Sequence, residues 1–254
     1  MATLRLSGNP EADKLLSDDP LALLIGMVLD QQVPLEWAFA GPAELRRRLG
    51  RDLDAREIAS MDPDALAAAF SAKPALHRYP GSMAGRVHEL CRVIVDDYGG
   101  RPEAVWTGVQ SGSALLDRIR ALPGFGEQKA KIFVALLGKQ LGVRPPGWQE
   151  VSTPYGDPDT HRSVADIIDQ SSLDRVRSFK QDMKAQHKAA AEAAKATAPA
   201  GKRAGATKAA PTTRKAAVKK KAGARKKKAG ASKKIGANKK AGAVTQAGAA
   251  KKSR

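Results

Sequence analysis

The stretch Leu115-Leu116-Asp117-Arg118-Ile119-Arg120-Ala121-Leu122-Pro123-Gly124-Phe125-Gly126-Glu127-Gln128-Lys129-Ala130-Lys131-Ile132-Phe133-Val134-Ala135-Leu136-Leu137 reads as two helices joined by Leu-Pro-Gly-x-Gly. Pro123 stops the first helix, because it lacks an N–H and clashes with the preceding turn. Gly124 and Gly126 permit positive φ and put no side chain in the way. Backbone N–H groups at such a turn, and at the start of the helix behind it, can converge on one phosphate with the helix dipole behind them. Leu122, Pro123, Gly124, Phe125 and Gly126 are therefore candidate phosphate-binding positions, with Gln128, Lys129 and Lys131 on the first turns of the following helix. The plainer reading is an αα-turn with a glycine cap.

Working outward, the rest of residues 1–184 also reads as helical. Asp19-Pro20 is a cap and first helical position, and Leu21, Leu24, Ile25, Val28 and Leu29 give one apolar face ending near Gln31-Gln32-Val33-Pro34. Short helices are predicted around 35–40 and 42–49. Another spans 62–70, capped by Asp62 with Pro63 behind it. A further helix covers 85–98 and ends at Gly99-Gly100, and the two hairpin helices cover 113–121 and 127–141. No stretch alternates as a strand would, so an all-α domain is expected. Cys91, the single cysteine, lies in an amphipathic pattern and reads as a buried structural thiol. One cysteine cannot close a disulfide within the chain or ligate an iron–sulfur cluster. His77, His88 and His161 show no metal-ligand spacing with it, so no transition metal is expected.

Charge divides the chain. Residues 1–184 hold 23 Lys and Arg against 25 Asp and Glu, a balance of −2, whereas residues 185–254 hold 21 against the single acid Glu192, a balance of +20. The second part contains no Leu, Met, Phe, Trp or Tyr, so it cannot offset the roughly 1–2 kcal/mol per residue that ordering costs, and it reads as disordered when free. A loose repeat sets paired lysines along it: Lys220-Lys221-Ala222-Gly223-Ala224 recurs from Lys227-Lys228, from Lys233-Lys234 and from Lys239-Lys240. Such a tail resembles the Lys/Ala-rich tails of linker histones and suits phosphate backbones, with affinity falling steeply with salt. Solubilising the protein or docking on anionic membrane are the other uses of a cationic tail. A membrane tail would want apolar anchors or a lipidation site, and neither is present. The lack of a leader or an apolar span suggests a cytoplasmic, nucleoid-associated protein.

The hairpin resembles that of the helix-hairpin-helix (HhH-GPD) base-excision DNA glycosylases, the superfamily of endonuclease III, the adenine mismatch glycosylase and the alkyladenine glycosylases. The likeness extends to Asp19 through Gln32, similar to the family's early helix and Gln-containing loop. It extends also to Ser82-Met83-Ala84-Gly85-Arg86 through Asp97-Tyr98-Gly99-Gly100, similar to its helix ending in Gly-Gly; about residues 15–170 are covered.

The resemblance implies roles. A base must leave the duplex before its bond to the sugar can be cut, and the family fills the gap with a Gln, here Gln32 with Gln31 beside it. A solvent-facing or capping Gln is the alternative. A carboxylate after the hairpin stabilises the cationic sugar or activates water. Asp159, in Asp159-Thr160-His161-Arg162, and Asp166 are the two candidates; a helix N-cap is the other reading of Asp159. The separation from Gly126 to Asp159 exceeds the family's usual length. Members that also cut the backbone carry a Lys two residues after the second hairpin glycine, where this chain has Gln128. The expectation is therefore a monofunctional glycosylase acting on double-stranded DNA with a damaged base, monomeric, without an iron–sulfur cluster or other cofactor save a monovalent cation that the resemblance allows at the hairpin. Trp37, Trp106, Trp148, Tyr79 and Tyr155 are candidates to stack the base, each with core or surface packing as the alternative. The competing functions are a non-catalytic DNA-binding, nucleoid-associated protein on the same fold and an RNA-associated protein.

Overall fold

The computed structural model describes residues 3–197. These form ten α-helices and two short 3-10 turns, with no strand among the described residues. Local chemistry accounts for most helix starts. Asn9 caps α1 (Pro10–Asp18), Asp19 caps α2 (Pro20–Leu29), Asp54 caps α4 (Ala55–Ser60), Asp62 caps α5 (Pro63–Ser71) and Ser111 caps α7 (Gly112–Arg120). In each the side-chain oxygen accepts an N–H of the first turn. In α1, α2 and α5 a proline supplies the first helical position, where its missing N–H costs nothing.

The sequence reading names no helix at Pro10–Asp18, Ala55–Ser60, Trp148–Ser152 or Gln170–Thr197, and two of its boundaries differ. The break expected at Pro42 is absent: α3 runs unbroken over Leu35–Leu49 with Pro42 inside it. A proline there costs about 3 kcal/mol, but the same helix buries Ala38, Phe39 and Leu45 completely. Large apolar side chains gain about 2 kcal/mol each on burial, enough to offset one missing hydrogen bond. Gly41 completes the fit, since a Cβ there would stand 2.5 Å from Leu29 Cδ1. Helix α6 (Pro80–Tyr98) begins five residues earlier than expected, at a proline in the first position, and ends as expected at Gly99 with φ +61°.

Helix α2 lies in the core of the described residues. Every residue from Leu21 to Leu29 is buried, and α1, α3 and α6 lie against it. Helices α4 and α5 cover the other side of α6. A second group follows in the chain: α7, α8 (Glu127–Gln140) and α9 (Trp148–Ser152) pack on one another. The 3-10 turn Val164–Asp166 then rests on α8 and leads to α10 (Gln170–Thr197). Helix α10 continues through residue 184, where the composition changes, so that change marks no element boundary. No helix of the described residues is long and apolar enough to cross a membrane. Lys220, Lys221, Lys227 and Lys228, with the rest of residues 198–254, lie outside the described residues.

Candidate functional site

Of the two glycines of the hairpin between α7 and α8, only Gly124 uses a positive φ; Gly126 is extended, with φ −82°. Gly124 has φ +86°, and a Cβ on it would stand 3.3 Å from Val28 Cγ2, so it supplies both the turn and a close approach to α2. Leu122 and Phe125 are buried, and the Phe125 ring lies 5.6 Å from that of Phe133. Their side chains anchor the turn from beneath, so only their backbone can meet a ligand. Pro123 and Gly124 are half-buried and Gly126 is exposed. Gly126 is the N-cap of α8 and, having no side chain, makes no cap hydrogen bond. The first N–H groups of α8 therefore stay open toward solvent.

Charge around this opening is mixed. Glu127, at the first position of α8, is paired with Arg120 at 3.1 Å and with Lys131 at 3.5 Å, and Arg120 also holds Asp117 at 2.7 Å. The Arg120 guanidinium holds the Glu127 carboxyl below the ordinary carboxylate range. Lys131 thus stays at the hairpin surface, where a phosphate would compete with Glu127 for it.

Lys129 differs from expectation. One residue is about 100° of helix, and this step turns Lys129 away from the hairpin surface and onto the end of α2. Its Nζ donates to Met27 O at 2.5 Å and Val28 O at 3.3 Å. Burial lowers its pKa from the ordinary range to about 8, against the opposing pull of Asp30; Arg86 adds to the lowering. Its amine is spent inside the protein and does not reach out to a phosphate. Gln128, by contrast, is exposed, and its Nε2 donates to Tyr155 Oη at 2.8 Å.

The loop after α2 stands beside this hairpin through Lys129 and the Gly124–Val28 contact. Gln31 is tied in place: its Nε2 donates to Val28 O at 2.8 Å, its Oε1 accepts from Arg86 at 2.7 Å, and its carbonyl meets His77 Nε2 at 2.8 Å. Gln32 is exposed with φ +55°. A left-handed backbone at a residue other than glycine is held only by its surroundings. Here the clamp on Gln31 holds the backbone that presents Gln32. A cavity of about 190 Å³ next to it is lined by Gln31, Gln32, His77, Tyr79 and Arg86.

Of the five large aromatics, Tyr79 and Trp37 are exposed, with Tyr79 under the Arg78 guanidinium and the Trp37 indole bonded to Ala75 O. Trp106 belongs to the core and meets Phe133 edge-on at 5.8 Å. Trp148 lies against Gly138 of α8, and Tyr155 is half-buried. His88 is bonded to Met61 O and His161 to Arg175. Cys91 is buried, and burial pushes its thiol up to about 12, so it is inert packing.

The two carboxylates expected near the hairpin are at the opposite end of α8. Asp166 is 3% exposed and its Oδ1 is 2.6 Å from Lys139 Nζ. The carboxylate also accepts from Thr160 Oγ1 and from the N–H groups of Arg162 and Ser163, the latter closing a capping box. Asp159 starts no helix and caps none: it occupies an exposed turn with φ +53°. It borders an open groove of about 970 Å³ shared with His161, Arg162 and Arg175. Lys139 holds this whole segment by also donating to Asp157 O at 2.6 Å. From Glu127 to Lys139 the helix rises about 18 Å, so neither Asp stands at the mouth of the hairpin.

Sequence reasoning passed over Asp30. It is the C-cap of α2, immediately before Gln31-Gln32, and its charge acts directly on Lys129. Its adjacency to the Gln pair was the one signal available.

With this geometry in hand, comparison with known proteins yields one match. A family profile described as HhH-GPD superfamily base excision DNA repair protein matches residues 25–199, from within α2 to just past the end of α10. No curated protein and no solved structure matches the chain.

Proposed function

Since the chain belongs to the HhH-GPD superfamily of base excision DNA repair proteins, whose function is of the DNA glycosylase type, we propose that it hydrolyses the N-glycosidic bond of a damaged base flipped from duplex DNA, with no backbone-cutting step. The observation that carries this reading is the juxtaposition of the open hairpin turn with the loop that presents Gln32. One element grips a phosphate and the other fills the gap that the flipped base leaves. The absence of lyase chemistry is supported by Gln128, whose amide is bonded to Tyr155, and by the inward turn of the Lys129 amine. Lys131, which remains at the hairpin surface, is paired with Glu127, so no free amine stands at the position of Gln128 to form a Schiff base with the sugar. The protein would act as a monomer in the nucleoid, with its cationic tail adding sequence-independent affinity and no base discrimination. A monovalent cation would use hairpin carbonyls that remain open; those of Leu122 and Gly126 already accept the N–H groups of Phe125 and Ala130.

The placement of Asp159 and Asp166 at the far end of α8 favours a second reading, a DNA-binding protein that keeps the fold without the reaction. One experiment separates the two. Duplexes carrying a panel of damaged or mismatched bases are incubated with the full chain, and alkali then reveals abasic sites. Strand breaks only after alkali support a monofunctional glycosylase. Breaks before alkali would show lyase activity. Tight, salt-sensitive binding with no base release from any duplex would establish the non-catalytic reading.

A further inference from the structure

We propose that Asp30 is the carboxylate that serves the base–sugar bond, in the cleft that opens at Asp30 between α10 and the α2–α3 loop with the start of α3, and that Lys129 is its positioning residue. The inference rests on the glycosylase reading above and supplies the group that this reading lacks.

Location comes first. The Asp30 N–H is bonded to Gly26 O at the end of α2, and the next two residues are the clamped Gln31 and the exposed Gln32. Lys129, from the second hairpin helix, grips the carbonyls two and three residues before Asp30. Asp30 is thus joined to both halves of the DNA-facing arrangement, whereas Asp159 and Asp166 are joined to neither.

Availability comes second. The Asp30 carboxylate enters no hydrogen bond or ion pair among the described residues and is half-buried. The other carboxylates at this end are engaged: Glu127 by Arg120 and Lys131, Asp117 by Arg120. A half-buried carboxylate with no hydrogen-bonding partner can accept a proton or face a developing cation.

The cleft is the third observation. It measures about 410 Å³, within the range of small-ligand sites. Val33, Leu35, Ile167 and Val176 give it apolar walls for the face of a base, and Lys180 of α10 stands among its lining residues as a cation for a flanking phosphate. In the reaction the oxygen of water bonds to C1′ while the C1′–N bond breaks and its electron pair goes to the base nitrogen. Asp30 takes the proton that water gives up, and that proton ends on the departing base. Lys129 touches none of the reacting atoms; it holds the end of α2 so that Asp30 faces C1′. The charges facing Lys129 are Asp30 and Arg86 of α6.

The test uses the full chain. Single-turnover base release is measured on the damaged-duplex panel for wild type, Asp30→Asn, Asp30→Ser, Lys129→Met, Lys129→Arg and Asp159→Asn, at several pH values. Binding to a duplex with a tetrahydrofuran abasic analogue is measured alongside. Release should fall by about 100-fold or more in both Asp30 variants, with binding to the analogue unchanged. Asp159→Asn should stay within about twofold of wild type. Lys129→Met should slow release by about tenfold without weakening binding, and should remove any rate change centred near pH 8; Lys129→Arg, which keeps the charge, should recover part of the rate. The two Asp30 variants guard against a folding defect in either. Wild-type release with undiminished release in the Asp30 variants would overturn the inference and leave the glycosylase reading standing. So would loss of release in Asp159→Asn. No release by wild type from any duplex would overturn both.

Discussion

The two ends of α8 carry opposite kinds of polar chemistry. At the C-terminal end Lys139 and Asp166 are buried together, and Thr160 and two backbone N–H groups use what remains of the carboxylate. None of the Asp166 carboxylate is left over for a ligand. At the N-terminal end Gly126 leaves the first N–H groups open, Gln32 stands exposed, and Asp30 is half-buried without a hydrogen-bonding partner among the described residues. The difference teaches that a carboxylate's surroundings, more than its distance in sequence from a motif, determine what it can do. A fully bonded carboxylate holds chain segments together, and an unsatisfied one beside an opening is free to react.

Four measurements would break or sharpen this contrast. The largest effect is expected from Asp166→Asn, which leaves the Lys139 ammonium buried without its counter-charge. Breaking a buried pair costs about 3 kcal/mol or more, so a urea or thermal melt should show a clear loss. Replacing both partners with apolar residues should recover much of it; a melt of Asp166→Asn superimposable on wild type would remove the structural role assigned to that end.

The next effect is a pH dependence at the hairpin end. Lys129 releases its proton at about 8 in the folded chain and near 10.4 when unfolded. Between these values the unfolded chain holds more protons, so stability rises with pH through that window. Part of the shift is screened by solvent, so the gain is on the order of 1–2 kcal/mol. Lys129→Met should flatten the curve between pH 8 and about 10; identical pH dependence in both proteins would show that the amine is not desolvated.

Gly124→Ala comes third. It places a Cβ at φ +86°, 3.3 Å from Val28. A cost of about 1–2 kcal/mol is expected, together with weaker binding to undamaged duplex, read by fluorescence anisotropy. Loss of stability with binding intact would separate the turn from the phosphate site. The smallest effect belongs to Asp159→Asn, an exposed site where a change within about 0.5 kcal/mol is expected. A large destabilisation there would mean that the far end relies on more than the Lys139–Asp166 pair.

Much of the fold was legible because helix starts are written locally. Asp19-Pro20, Asp62-Pro63 and Leu122-Pro123-Gly124 act within a few residues of themselves, and each does in the structure what its chemistry suggests. Pro42 misled because its local penalty is outweighed by the burial of Phe39 and Leu45, and Phe39 is covered by α2 at Gly26, a partner from another part of the chain. The candidate site was legible in part. Motif and order pointed to the turn and to Gln32, which the structure leaves exposed. Lys129 was named for the wrong direction, because the face of α8 that meets α2 is set by packing. That Asp159 and Asp166 lie along the far end of α8 was not legible, because the path of the chain from α9 back along α8 leaves no mark in local sequence.

The sequence alone set the starts of α2, α5 and α8, the hairpin turn, and the division of charge between residues 1–184 and 185–254, since caps, prolines, glycines and composition act at short range. Only the tertiary structure decided which carboxylate is spent and which is free. That outcome depends on which distant donors reach each oxygen: Lys139 reaches Asp166, Lys129 reaches the carbonyls beside Asp30, and the Asp30 carboxylate itself is left open.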